Sequence, residues 1–204
     1  MQRLKVLGLA LVAALAVSAV AVSAAAAAEF VATPVKGAVE GTQTGNHVFT
    51  TGAGKVTCTK AAAKGEVGAE KSQTNKESVT YTGCTAFGFF EAKVSEAKYK
   101  FEVFAGSKVS PFQGAVEVEK PDIIIEVPAA GCKVTVSQPG NGKLEKIEYV
   151  NKGAKEIEEK TNVEKIHYTP SGGQCGENKE KEDGKYTGNE AIKINGGAGS
   201  IQVK

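Results

Sequence analysis

Apolar and polar residues alternate with a period of two along most of the chain after residue 29, the pattern of half-buried β-strands. It is clearest between Glu77 and Val94. Val79 and Tyr81 alternate with polar neighbours before Gly83, and Phe90, Ala92 and Val94 alternate with Glu91 and Lys93 after Gly88. This predicts two strands that meet at a Gly83-Cys84 corner. The alternation recurs at Tyr99, Phe101 and Val103, at Cys132, Val134 and Val136, at Ile147 and Tyr149, at Ile166 and Tyr168, and at Ile192 and Ile194. Ile123-Ile-Ile125, bounded by Pro121 and Pro128, reads as a strand buried on both faces. Gly41–Gly45, Gly106–Pro111 and Gln138–Gly142 carry turn chemistry. About a dozen short strands separated by such turns predict an all-β sandwich or barrel.

Three stretches depart from the pattern. Ala61-Ala-Ala-Lys64 favours a helical turn, Glu70 to Lys76 reads as a polar loop, and Glu156-Ile-Glu-Glu-Lys160 has Glu-Lys spacing that suits a helix. Ser171 to Gly184 reads as a long polar loop pinned by Cys175. Tyr81-Thr-Gly and Tyr186-Thr-Gly hint at duplication, which leaves open a division of 29–204 into two β modules meeting near 105–130.

The first 28 residues stand apart. Arg3 and Lys5 precede an uncharged run of Leu, Val and Ala that closes with Ala26-Ala-Ala28, the features of a signal peptide cleaved before Glu29. The alternative is an uncleaved anchor, since the run is long enough to cross a bilayer. The signal takes two cations and no acid from 25 Lys+Arg and 23 Asp+Glu, leaving 23 of each. Every remaining cation is lysine, and Trp is absent. A neutral chain without arginine lacks the basic face and bidentate donors of nucleic-acid binders. Membrane contact is expected only through the signal segment, if it is retained.

Four cysteines, Cys58, Cys84, Cys132 and Cys175, in an exported chain predict two disulfides. Three pairings are possible; Cys58 with Cys84 and Cys132 with Cys175 is favoured because each closes a few consecutive strands. No C-x2-C pair exists and both histidines are isolated, so no metal site or cofactor is expected.

Phe30-Val-Ala-Thr, Gly41-Thr-Gln-Thr, His47-Val-Phe-Thr50, Val56-Thr-Cys58, Ile166-His-Tyr-Thr169 and above all Tyr81-Thr-Gly-Cys-Thr-Ala-Phe-Gly88 resemble a group of small secreted proteins of unknown function from high-GC Gram-positive bacteria. The resemblance covers most of the chain after the signal. It implies export and a β-fold and supplies no catalytic residue. Members of the group often carry further cysteines near Ala97 and Lys120, so their absence implies one fewer disulfide.

Catalytic motifs are missing. A Ser-His-Asp arrangement has only His47, His167, Asp122 and Asp183 to draw on; His167 alternates with Ile166 and Tyr168 and should face solvent, and His47 sits beside a turn. Most glutamates alternate with lysines, which predicts a solvated face laced with cross-strand ion pairs. Phe89 and Phe90 are the candidate ligand-binding residues. Neighbours in a strand face opposite sides, so only one can enter the core of a simple two-sheet sandwich; the favoured reading packs every Phe, the other ring lying under the Ser107–Phe112 loop, and the alternative exposes it beside Tyr81 or Phe87 as a patch suited to stacking on a sugar or docking a partner. The expectation is an exported, non-enzymatic extracellular or envelope-associated binding or structural domain, its partner a cell-envelope component or another extracellular protein. The alternative is a secreted hydrolase with a Glu/His site, which converging carboxylates of raised pKa in a cleft would favour.

Overall fold

A computed structural model describes residues 27–137 and 142–204. The signal expected in residues 1–28 therefore lies almost wholly outside the described residues, as does most of the Gln138–Gly142 turn. The described chain is all-β, with fifteen strands. They are β1 (Phe30–Thr33), β2 (Ala38–Gln43), β3 (His47–Thr51), β4 (Gly54–Glu66), β5 (Lys71–Ser72), β6 (Thr74–Ala86), β7 (Phe90–Val94) and β8 (Ala97–Val103). The second half supplies β9 (Phe112–Glu119), β10 (Ile123–Val127), β11 (Cys132–Val136), β12 (Leu144–Asn151), β13 (Ile157–Ser171), β14 (Lys181–Ile194) and β15 (Ser200–Val203).

Twelve of these strands close on themselves as a barrel. Four long strands, β4, β6, β13 and β14, run its length, with β4 paired to β6 and β13 to β14. Between β14 and β4 the ring is completed by β2 at one end and β3 at the other. Between β6 and β13 it is completed by β8, β9 and β12 at the first end and by β7, β10 and β11 at the second. Each cross-section thus has eight antiparallel strands, a number whose interior is filled by side chains or holds one small ligand. At about 3.4 Å per residue, β6 spans roughly 40 Å. β8 and β9, on either side of residues 105–111, pair with each other inside this one closed sheet.

The change of partners midway has a visible cause in the long strands. Along β6 the inward residues are Glu77, Val79 and Tyr81, then Cys84 and Ala86; Thr82 and Gly83 both face out. Along β4 the inward set shifts likewise between Cys58 and Ala61. Gly83 has a φ of +61°, and a Cβ there would lie 2.4 Å from Thr59 Oγ1, so this shift needs glycine. The expected Gly83-Cys84 corner is therefore a change of phase inside one strand. The reversal comes three residues later, where Phe87 and Gly88 adopt positive φ.

Other expectations are corrected in the same way. Ala61–Lys64 lies within β4, Glu156–Lys160 leads into β13, and β5 and β6 take up most of Glu70–Lys76, because pairing across a closed sheet overrides local helix preference. The polar loop after β13 is shorter than expected, since β14 begins at Lys181.

The two disulfides pair as favoured, Cys58 with Cys84 and Cys132 with Cys175. The first joins directly opposed residues of β4 and β6 just past the phase shift. The second ties the turn after β13 back to β11. Lysines and glutamates on the outer face form ion pairs such as Lys100–Glu117 at 3.3 Å and Lys193–Glu156 at 3.0 Å. This charged exterior is the inverse of a lipid-facing barrel wall. No helix among the described residues is long and apolar enough to cross a membrane.

A small sheet, β15-β1-β5, lies over the first end of the barrel. Phe30 of β1 packs edge-on against Tyr149 of β12 at 5.1 Å, and the Asn151 side chain exchanges two hydrogen bonds with the Val203 backbone. That end is sealed. The second end carries the β3–β4 and β6–β7 turns and the disulfide-bound turn at Cys175.

Candidate functional site

Three glutamates break the rule that glutamates here face water. Glu77, Glu159 and Glu190 point into the barrel and are 4–6 % exposed, and His47 is 1 % exposed. The strand pattern places them there: Glu77 shares its face with Val79 and Tyr81, Glu159 with Ile157 and Val163, and Glu190 with Ile192 and Ile194. Glycines make the room. A Cβ at Gly41 would lie 2.6 Å from Glu190 Oε2, and one at Gly188 would lie 2.7 Å from His47 Nδ1.

Four tyrosines join them. His47 Nδ1 bonds the Tyr186 hydroxyl at 2.5 Å, which bonds Tyr81 at 3.1 Å, which bonds Tyr99 at 3.0 Å. Tyr149 stands nearer the sealed end, its hydroxyl without a partner. Asn75 Nδ2 donates to Glu77 Oε1 at 2.5 Å and Thr161 Oγ1 donates to Glu159 Oε1 at 3.3 Å. His47 Nε2 and Glu77 Oε2 are buried with no hydrogen-bond partner. Buried polar atoms are paired in the great majority of folded proteins, so three orphans in one interior require a reason.

Burial sets the protonation states. It raises Glu77 to about 8, with the nearby Glu190 charge adding to the effect, and raises Glu190 to about 7. Burial, then the charges of Glu77 and Glu190, hold Glu159 well above the usual carboxylate range. His47 is lowered by burial to about 4, against a smaller opposing effect from the Asn189 backbone. His47 Nε2 and Glu190 Oε1 lie 3.7 Å apart, and because burial drives both groups towards their neutral forms, this contact is not held by an ion pair at neutral pH. The tyrosines Tyr81, Tyr99, Tyr149 and Tyr186 are all pushed above their ordinary value, chiefly by burial.

A cavity of about 40 Å³ lies among these groups, walled by His47, Tyr81, Tyr99, Glu159, Tyr186 and Glu190 and by apolar residues from Val79 to Ile166. A second, of about 20 Å³, lies nearer the second end, walled by residues that include Phe87, Cys132 and Cys175. The two share Phe49, Thr51 and Ile125 as wall, and the second reaches Phe87.

Phe87 belongs to an aromatic tip that is exposed, where the sequence favoured packed phenylalanines. Phe89 is 71 % exposed and Phe90 is half-buried against the core. They do not face opposite sides, because Phe89 precedes β7 and sits in the turn; their rings pack at 4.2 Å. Phe87 lies 6.3 Å from Phe90, whereas Tyr81 points inside. The Ser107–Phe112 loop leaves Phe89 uncovered. His167 lies on the outer side of β13 and bonds Glu180 at 2.9 Å. No group of three metal-ligating side chains occurs among the described residues.

Sequence reasoning missed Glu77, Glu159 and Glu190, and it placed His47 beside a turn without the inward orientation that the structure gives it. The parity of each glutamate with its apolar neighbours was the available signal, and it was masked by the many glutamates that alternate outward. The chain matches no known family model, curated protein or solved structure.

Proposed function

We propose that this chain is an exported, non-enzymatic binding barrel that receives a small ligand in its interior. The observation that carries this reading is the wall of the 40 Å³ cavity, where ionisable and hydrogen-bonding groups meet and a buried histidine nitrogen has no partner. Such groups destabilise a barrel that needs only to be filled, and perturbed acidities cluster where proteins bind or react. The smaller cavity, which shares Phe49, Thr51 and Ile125 with the larger one and reaches Phe87, marks the side from which a ligand would enter. Export is supported by the signal-like first segment and by two disulfides, which persist in oxidising surroundings.

Hydrolysis has less support. The carboxylates converge, as a glycosidase requires, but in an enclosed space with room for about three waters rather than in a cleft open to a polymer. Exposure of Phe89 favours a second, compatible role: docking of the aromatic tip on a cell-envelope component or another extracellular protein.

The test is native mass spectrometry and thermal shift of the purified protein against small amines, acids, sugars and alcohols, beside a Val79→Leu variant that narrows the cavity. Saturable binding by one class, lost in the variant, is expected; a protein that binds none of them refutes the reading.

A further inference from the structure

Resting on the binding reading above, we infer that the ligand is a compact organic amine, whose primary ammonium group is held between Glu190, Glu159 and the free Nε2 of His47. The chemical complement of the cavity wall selects this class. Two carboxyls line the same cavity, and the one lysine in its wall, Lys185, turns its Nζ to Glu164 on the outer surface at 3.0 Å. An anion would find no cation in the wall to offset its charge. A neutral sugar of about a dozen heavy atoms exceeds a space that holds about three waters.

A primary ammonium fits on each count. It has three donors for the acceptors present, whereas a quaternary ammonium has none. In the tautomer protonated at Nδ1, with that proton donated to the Tyr186 hydroxyl, neutral His47 presents a lone pair at Nε2, and Nε2 is 3.7 Å from Glu190 Oε1, so one nitrogen set beside this gap faces both. The rings of Tyr81 and Tyr186 each lie 5.8 Å from the His47 ring, and aromatic rings beside the site suit a cation as well. A metal ion is a poorer match, since the described residues bring no three ligating groups to metal geometry. The remaining wall, including Val79, Ile125 and Val163, is apolar and accepts the short hydrocarbon part of the amine.

Binding has a proton signature. Glu190 must be ionised to hold the ammonium, while the groups that face it, Glu77, Glu159, Tyr81, Tyr99 and Tyr186, keep their protons at neutral pH and His47 stays neutral. One proton leaves as one amine binds. Affinity therefore rises about tenfold per pH unit below pH 7 and levels off above it.

The experiment is an NMR titration of the isotope-labelled protein at pH 5.5, 6.5 and 8 with methylammonium, ethylammonium, methanol and acetate, on wild type and Glu190→Gln. The expected result is saturable shifts at His47 and Tyr186 from the ammonium probes alone, about tenfold tighter at pH 6.5 than at 5.5, and at least tenfold weaker in the variant. Methanol binding as tightly as methylammonium, or ammonium binding independent of pH, overturns the amine while leaving the barrel a binding protein. No response to any probe at His47 or Tyr186 overturns the inference, and the wider ligand panel then decides the binding reading separately. Retained folding of Glu190→Gln is read from its dispersed spectrum; if that variant does not fold, the pH dependence and the methanol comparison on wild type decide between the same outcomes.

Discussion

Replacing Glu190 by glutamine keeps the shape of the side chain and removes its charge at every pH, so the variant isolates what ionising this group does to the fold. Burial raises Glu190 from 4.5 to about 7. The unfolded chain releases that proton near pH 4.5, so between these values the folded state binds more protons than the unfolded one. Stability contributed by the protonated carboxyl is present at low pH and is lost as pH rises through about 7. A tenfold change in proton affinity corresponds to about 1.4 kcal/mol, which makes the full effect about 3 kcal/mol, of which about 2 to 3 kcal/mol falls between pH 5 and pH 8. His47 works in the opposite direction at lower pH: lowered from 6.5 to about 4, it destabilises the fold as pH falls below 6.5. Comparing wild type with Glu190→Gln at each pH cancels that contribution. Guanidinium unfolding at pH 5, 6.5 and 8 should show the gap moving in the variant's favour by about 2 to 3 kcal/mol across the range. A gap that stays constant from pH 5 to pH 8 refutes the burial of the Glu190 carboxyl inside the barrel. A variant that gains stability at pH 8 while losing amine binding would show the carboxyl retained against stability for the sake of the ligand.

Tyr81→Phe breaks the hydroxyl chain at its centre and should lower stability by about 1–2 kcal/mol in denaturant unfolding, because Tyr99 and Tyr186 each lose a buried partner. Gly188→Ala drives a methyl group towards His47 Nδ1 and the Tyr186 hydroxyl, at 2.7 and 2.9 Å, and should cost about 1–3 kcal/mol in the same assay. Removing the Cys58–Cys84 disulfide as the double alanine variant frees a crosslink spanning 26 residues and should lower stability by about 3 kcal/mol. Phe89→Ser should leave the unfolding midpoint within about 0.5 kcal/mol of wild type, given its exposure, while reducing co-sedimentation with isolated cell envelopes; unchanged sedimentation would remove the docking role of the tip.

The barrel was legible as alternation but not as closure. Tyr99, Phe101 and Val103, or Ile147 and Tyr149, announce inward faces by parity alone, whereas nothing local says that β4 pairs with β2, β3 and β6, because those partners are chosen by the whole ring. Cys58 and Cys84 were placed together by inward parity and proximity in sequence, and the structure opposes them. Helix-favouring runs at Ala61 and Glu156 misled because sheet pairing outweighs the small intrinsic preferences of Ala, Glu and Lys. The adjacent phenylalanines drew attention to Phe89 and Phe90, but the reading from the sequence favoured packing, and Phe89 is exposed because it sits in the turn before β7 and not because strand neighbours face opposite sides. The interior cluster was hidden because a glutamate inside a barrel is rare, and Lys-Glu alternation elsewhere makes an outward reading of Glu77, Glu159 and Glu190 the natural one. Their meaning appears only when three distant strands, β6, β13 and β14, bring them within reach of one another's charge.

The most direct measurement is carbon-13 NMR of the glutamate side-chain carboxyls, titrated from pH 4 to pH 9 with and without methylammonium. Three carboxyls, those of Glu77, Glu159 and Glu190, should hold their protons to neutral pH or above, with Glu190 alone returning towards the ordinary carboxylate range when the amine is present. All glutamates titrating near 4.5 and indifferent to the amine would contradict a binding barrel built around buried acids.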